Sequence, residues 1–292
     1  MRILLVNKYH KLVGGADRYA FDLSRLLTES GHEVAFVAPD FPDNTPAEYP
    51  FFGVPQGLTN KTWEKASPLQ KARAFADGLY NFAAERVMTQ AIDSFHPDVV
   101  HCQNIYYQLS PSVIRAARKA GVPVVQTLHD AQPVCANTAL FHHGRICEEC
   151  RPRRFHRILA NRCYNESLSA SVLAFSAKAL HAATGLHPGG VDRFITPSRF
   201  MKSKIESFGV RMAPIEQVNN FLRLETYDPN YEPGEYVLFF GQIIKVKGIV
   251  TLLNAMERLK GLIPLVIAGT GPLEETIRET IREKGIENVT MV

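Results

Sequence analysis

The stretch RILLVNKYHKLVGGADRYAFDLSRLLTESGHEVAFVA, residues 2–38, decides the fold. It opens on an apolar run, Arg2–Val6, without polar alternation, which is how a strand buried on both faces reads. The glycine pair Gly14-Gly15 then precedes a helical pattern, Ala16–Ser30, and Gly31 stops it. A second apolar run, Glu33–Ala38, follows at once. Strand, glycine turn, helix and strand in this order predict a parallel β–α–β unit.

Outward from this unit the rhythm repeats. Further strands are predicted at Asp98–Cys102, Pro123–Leu128 and Arg193–Thr196. Helices are predicted at Thr62–Ser94, Pro111–Ala120, Asn165–Ala183 and Arg199–Phe208. Ser110 with Pro111, and Ser198, read as helix starts, and Gly209 as a stop. Asp40–Asn60 carries four prolines and reads as a surface loop. Asn219–Gly234 is polar, holds two prolines and reads as a linker. Beyond it come Tyr236–Phe240, Ile249–Leu259, Pro264–Ala268, Leu273–Lys284 and a strand from Val289. The expectation is an α/β chain of two Rossmann-like domains, residues 1–220 and 221–292. The second shows about 60 residues of rhythm against about 100–150 for a typical domain, so it reads as incomplete and the sequence as a fragment.

The 292 residues are 46% hydrophobic and 21% charged, an ordinary globular balance. A net charge of +4 is too small to argue nucleic-acid binding, although it suits acidic partners. No apolar run approaches the roughly 18 residues of a membrane span. Met1–Asn7 runs into Lys8 and His10 with no basic region before it and no cleavage site, so it reads as a strand and not as a signal peptide. The expected compartment is the cytoplasm. There, five cysteines point away from disulfides, toward buried thiols or metal ligands.

Several motifs sit where chemistry is done. Val13-Gly14-Gly15-Ala16-Asp17-Arg18 opens the first helix, where glycines admit a ligand and free N–H groups favour anions. Its spacing is not the G-x-G-x-x-G of dinucleotide binders, which disfavours an NAD-dependent oxidoreductase. Thr127-Leu128-His129-Asp130 and His101-Cys102-Gln103-Asn104 end two buried strands, the edge at which open parallel sheets bind ligands. His129 there can donate a hydrogen bond to a sugar hydroxyl or a carbonyl, and Asn104 can meet an acceptor hydroxyl. In the second domain, Gly241 to Gly248 and Gly269-Thr270-Gly271-Pro272 lie at strand ends, and Lys247 beside a helix start can clamp a phosphate. Each motif alone also fits an ordinary turn or a solvated side chain.

Taken in order, Gly-Gly-Ala-x-Arg, Leu-His-Asp, Gly-x5-Lys-Gly and Gly-x-Gly-Pro make the chain resemble glycosyltransferase family 4, of the GT-B fold, from Met1 to Val292. The resemblance implies a nucleotide-diphosphate sugar as donor, a saccharide or lipid-linked saccharide as acceptor, retention at the anomeric carbon and no catalytic metal. It implies that His129 contacts the donor sugar. Gly14 and Gly15 face the diphosphate, with Gly241, Lys245, Lys247 and Gly271 on the donor side. Asp17, Arg18, His101 and Asn104 are placed on the acceptor side. Three departures stand out: Gln242 where the family has Arg, Asp17 where Glu is usual, and no Glu-x7-Glu pair after a later strand. Glu275 and Glu283 have that spacing, but they fall on the solvated side of the helix Leu273–Lys284, so they read as a decoy. A nucleotide-sugar epimerase, or a non-catalytic saccharide- or partner-binding module, would use the same architecture.

Cys135, Cys147, Cys150 and Cys163 lie in a polar insertion, residues 131–165, at spacings that suit tetrahedral structural zinc. Four metal-free thiols are the other reading, and His142 and His143 are spare ligand candidates. A branch of the family that builds surface polysaccharides carries a similar insertion. Arg151, Arg153, Arg154, Arg157 and Arg162, with Phe155, form a basic cluster. It suits anionic lipid at the inner membrane face or a pyrophosphate-linked acceptor, and equally a plain solvated surface. Trp63, Leu69, Phe75, Leu79 and Phe82 read as the core-facing stripe of the helix Thr62–Ser94, with membrane docking as the other reading.

Overall fold

A computed structural model describes residues 1–58, 62, 65–222 and 227–292. Trp63, the end of the predicted loop at Thr59 and Asn60, and residues 223–226 of the predicted linker lie outside the described residues. The chain divides into two units, Met1–Leu222 and Arg223–Val292.

The first unit runs β1 (Arg2–Val6), α1 (Gly15–Glu29), β2 (Glu33–Pro39), β3 (Phe51–Val54), α2 (Pro68–Leu79), α3 (Phe82–Phe95), β4 (Val99–Cys102), α4 (Tyr106–Leu109), α5 (Ser112–Lys119), β5 (Val124–Thr127), β6 (Phe141–His142), β7 (Arg145–Ile146), α6 (Arg157–Ala160), α7 (Leu168–Ala183), β8 (Arg193–Thr196), α8 (Arg199–Glu206) and β9 (Ile215–Gln217). Seven strands form one sheet in the order β3-β2-β1-β4-β5-β8-β9, and every pair in it is parallel. The chain walks outward from β1 to one edge, then restarts beside β1 with β4 and walks to the other. The strand order therefore reverses between β1 and β4. In an open parallel sheet the crevice at the carboxyl ends of such strands is where ligands bind. Val6 is level with both Val37 and Cys102, so the strand ends meet there.

Alternate residues of β1 serve opposite faces, as the two-residue period of a strand requires. Ile3 and Leu5 pack with Tyr19, Ala20 and Leu23 of α1. Leu4 and Val6 join Met88, Ile92, Val113 and Ala117 of α3 and α5. Leu4, Leu5 and Val6 have no exposed surface, and each such side chain contributes about 1.5–3 kcal/mol. Among the described residues no helix is long and apolar enough to cross a membrane.

Three expectations need correction. The predicted surface loop Asp40–Asn60 contains β3, which pairs with β2. Gly53 lets it approach, since a Cβ there would stand 3.0 Å from that of Asp40. The predicted helix Thr62–Ser94 is broken at Tyr80–Asn81, both in extended backbone. Asn81 caps α3 by accepting from Ala84 N at 2.9 Å, and its own N–H donates to Ser110 Oγ at 2.9 Å. Ser110 is thus not the cap of α5 but a bracket between helices, at φ 54°.

The second unit runs β10 (Val237–Phe240), a 3-10 turn at Lys245–Lys247, α9 (Ile249–Leu259), β11 (Leu265–Ala268), α10 (Glu274–Glu283) and β12 (Val289–Met291). Its three strands are parallel and follow chain order. Ile249, Leu253 and Met256 of α9 and Ile277 of α10 pack with Leu265 and Ile267. On β10, Leu238 and Phe240 are 54% and 83% exposed. Glu275 and Glu283 are exposed on α10.

Candidate active site

The carboxyl ends of β1, β4 and β5 bring together Asn7, Lys8, Gln103, Asn104, His129 and Asp130. His129 Nε2 lies 2.8 Å from Gln103 Oε1. With that oxygen accepting, the ring carries its proton on Nε2 and leaves the Nδ1 lone pair free. In that tautomer the ring offers an acceptor, and not a donor, at Nδ1. The ring also meets the Tyr19 ring edge-on at 5.1 Å. Burial, followed by the charge of Lys8, pushes His129 down to about 4, so it is neutral near pH 7.

Three buried amide atoms at the same strand ends have no hydrogen-bond partner: Asn7 Oδ1, Gln103 Nε2 and Asn104 Oδ1. A buried polar atom without a partner costs about 1–3 kcal/mol, so three together mark a place for water or a ligand. Asn104, expected on the acceptor side, is one of them, and its carbonyl accepts from Lys8 N at 2.7 Å.

Asp17 and His101 do not reach this space, contrary to expectation. Asp17 is 3% exposed. One carboxylate oxygen accepts from Asn7 Nδ2 at 2.9 Å and the other from Gly14 N at 3.0 Å. Asp17 thus fixes the glycine loop at the start of α1 by accepting from the N-cap N–H, the one half of a capping box that a glycine N-cap allows. His101 Nε2 is spent on Thr127 Oγ1 at 2.8 Å, and burial, then the charge of His129, pulls its ring down to about 4. Gly14 and Gly15 are exposed, and a Cβ added at either would meet nothing within 4 Å. The loop is open to its surroundings, with Arg18 exposed one turn further on.

Two residues escaped the sequence reading. Lys8 has its ammonium 5.4 Å and 5.6 Å from the ring centroids of Tyr9 and Tyr106 and bears electrostatically on both His129 and Asp130. A cation directly after a buried strand, at the edge where ligands bind, was the available signal. Tyr106 donates to Asp130 Oδ1 at 2.6 Å. Burial raises the Asp130 carboxyl, and this hydrogen bond, the Gln132 N–H, Lys8 and Lys178 oppose it.

In the second unit, the loops after β10 and β11 press backbone to backbone. A Cβ on Gly271 would stand 2.5 Å from the Ile243 carbonyl oxygen, and one on Gly269, at φ 148°, would collide with that of Gly241. Gly241 itself faces open space. Lys245 and Lys247 are exposed on the turn that leads through Gly248, at φ 77°, into α9.

The four cysteines of the insertion are free thiols. Cys150 is pushed up to about 12 and Cys163 to about 11, by burial first and then by neighbouring thiols. Among the described residues no three His, Cys, Asp or Glu side chains already stand in metal-holding geometry. His142 Nε2 lies 2.7 Å from the Asn161 carbonyl. The arginines at 151, 153, 154, 157 and 162 are all exposed, and Arg151 pairs with Glu148 at 3.7 Å.

Comparisons with known proteins agree with this architecture. The sequence profile described as Glycosyltransferase Family 4 matches residues 13–226, and that of Glycosyl transferases group 1 matches residues 228–292. The chain is 28% identical over 155 residues to an uncharacterised 42.6 kDa protein of the cps region of Klebsiella pneumoniae, covering 49% of this chain and 40% of that one. It is 26% identical over 170 residues to O-antigen chain mannosyltransferase C of Escherichia coli, covering 57% and 40%. The matched stretches thus span about two fifths of the length of these relatives. The solved structure of Anabaena HepE in complex with UDP superposes with a TM-score of 0.60 at 14% identity, over 100% of this chain and 69% of that one.

Proposed function

The chain belongs to glycosyltransferase family 4, and from that premise we propose that it moves a hexose-type sugar from a nucleotide-diphosphate donor to a saccharide or lipid-linked saccharide acceptor. The observation that carries the proposal is the convergence of neutral His129, cationic Lys8 and three unpartnered amide atoms at the point where the strand order reverses. Neutral acceptors and donors gathered at this sheet edge suit a polyhydroxylated ligand. The chemistry of the relatives supports the same reading: one is a mannosyltransferase of O-antigen chains, and HepE was solved with UDP.

In the proposed step the acceptor oxygen bonds to the anomeric carbon as the bond from that carbon to the diphosphate breaks. The acceptor proton passes to the departing phosphate oxygen, and configuration is retained. Charge develops on the leaving diphosphate, where preorganised cations and N–H groups stabilise a transition state most. Lys245, Lys247 and the glycines Gly241 and Gly271 are assigned to that group, and so is the exposed Gly14-Gly15 loop. The His129 Nδ1 lone pair accepts from a donor-sugar hydroxyl and holds the ring in register. Asn104, Lys8 and Arg18 are assigned to the acceptor. No metal enters this step, and the structural zinc proposed at the four cysteines stands outside it. The exposed arginines of the insertion are assigned to the anionic part of a lipid-linked acceptor, at the cytoplasmic face of a membrane where surface polysaccharide is assembled.

Product analysis by mass spectrometry, with UDP- and GDP-sugars and lipid-linked saccharides, tests this. The expected result is acceptor extended by one sugar with one nucleoside diphosphate released. Conversion of the donor sugar without acceptor would instead make the protein an epimerase. Saccharide binding without nucleotide binding would make it a non-catalytic module.

A further inference from the structure

Asp130 is the acid among the residues gathered at the carboxyl ends of β1, β4 and β5, and nothing above gives it a task. Its neighbours Asn7, Gln103, Asn104 and His129 are neutral, and Lys8 is a cation. An ionised carboxylate only accepts hydrogen bonds, through two oxygens, and this one has its two oxygens in different situations.

Oδ1 is held twice. It accepts from the Tyr106 hydroxyl at 2.6 Å and from Gln132 N at 3.0 Å. The first bond reaches across from α4, which follows β4. The second closes a turn within the loop that follows β5. Together they fix where the carboxyl group stands. Oδ2 has no hydrogen-bond or ion-pair partner among the described residues. Asp130 is half-buried, and this second oxygen is not sealed from solvent.

Lys8 rests on the same tyrosine. Its ammonium lies 5.6 Å from the Tyr106 ring centroid, and its backbone N–H donates to the Asn104 carbonyl at 2.7 Å. Lys8 and Asp130 bear on each other electrostatically, yet they form no ion pair. A group that only accepts and a group that only donates are thus kept apart on one side chain. Hydroxyls, which donate and accept at once, satisfy both. A diphosphate does not suit the open oxygen, because like charges repel. Nor is the reacting hydroxyl its partner, since in the proposed step that proton goes to the departing phosphate oxygen.

We infer that Oδ2 of Asp130 selects the acceptor sugar by accepting a hydrogen bond from one of its non-reacting hydroxyls, with Tyr106 as the residue that positions the carboxylate. This rests on the sugar-transfer reading and adds a specificity-determining residue to it. No bond is made or broken at Asp130. An acceptor that carries the hydroxyl gains a charge-assisted hydrogen bond, about twice as strong as a neutral one. An acceptor without it leaves the carboxylate oxygen unpaired on binding and is discriminated against.

Asp130→Asn tests the contact, because the amide keeps an oxygen for Tyr106 and Gln132 and puts a donor in place of the open oxygen alone. The substrates are the acceptor extended in the product assay and its monodeoxy derivatives, one for each non-reacting hydroxyl. In steady-state kinetics Asp130→Asn should raise the KM of the full acceptor about tenfold or more and leave that of the nucleotide sugar within about twofold. One derivative should show the same loss with the parent protein and little further loss with Asp130→Asn, the non-additivity of two partners in contact. An unchanged acceptor KM, or the same factor for every derivative, overturns the contact. A rise confined to the nucleotide sugar overturns its place on the acceptor. The parent's own series decides even if the variant fails to fold: with no derivative weakened about tenfold, the inference falls. Tyr106→Phe should weaken the full acceptor and spare that one derivative, and equal weakening of both removes Tyr106 from the account. A parent protein that extends no acceptor at all refutes sugar transfer itself, a result distinct from each of these.

Discussion

Gly15→Ala separates what the glycine loop does for the fold from what it does for a ligand. Gly15 is the first residue of α1, and a Cβ there meets nothing within 4 Å. Its φ lies outside the left-handed region, so alanine takes the same backbone without strain. Alanine in place of a helical glycine lowers the entropy of the unfolded chain and stabilises by about 0.5–1 kcal/mol. For a unit of this size that raises Tm by about 1–4 °C. The same methyl group projects into the opening where the diphosphate is proposed to lie. Displacing a bound substrate by about 1 Å costs on the order of 100-fold in rate. The variant should therefore melt higher and transfer sugar about 100-fold more slowly. Calorimetric melting and nucleoside diphosphate release on one preparation read both. Transfer within twofold of the parent, with the higher Tm, would refute the placement of a ligand against this loop.

Other outcomes follow from the same geometry. Gly269→Ala puts a Cβ against the Gly241 carbonyl at φ 148° and should destabilise by at least about 2 kcal/mol, seen as early melting by circular dichroism. Lys8→Met should raise KM for an anionic acceptor about tenfold while leaving KM for the nucleotide sugar within twofold, which steady-state kinetics with each substrate varied will show. Acid should destabilise the first unit in a defined window. His101 and His129, both held near 4 against an unperturbed 6.5, take up protons more readily in the unfolded chain. Their contribution is present in full above pH 6.5 and is lost as pH falls toward 4. Tm measured across that range should drop, and a flat profile would contradict the neutral assignment of these rings.

The sheet was legible because buried parallel strands read as unbroken apolar runs, and Arg2–Val6 and Glu33–Ala38 do so plainly. β3 was hidden because Phe51–Val54 is short and lies among four prolines. The break at Tyr80–Asn81 was missed because the apolar periodicity continues through it, although Asn81 is a good cap. At the site, His129 was found from its place at a strand end. His101 has the same kind of place, but the sequence does not say that its ring turns to Thr127 within the sheet. Asp17 was misread for a different reason. An acid three residues after Gly14 is a helix-start signal, and the same residues also fit a ligand-binding glycine loop. The hydrogen bond from His129 to Gln103 joins residues 26 apart, and no local pattern encodes it.

The central claim is that His129, as a neutral hydrogen-bond acceptor, serves sugar transfer at the reversal of strand order. The most direct measurement is the rate of sugar transfer by the parent and by His129→Ala, at matched far-ultraviolet circular dichroism. The account predicts a loss of on the order of 100-fold in transfer with the fold intact. Equal turnover in the two proteins would contradict it.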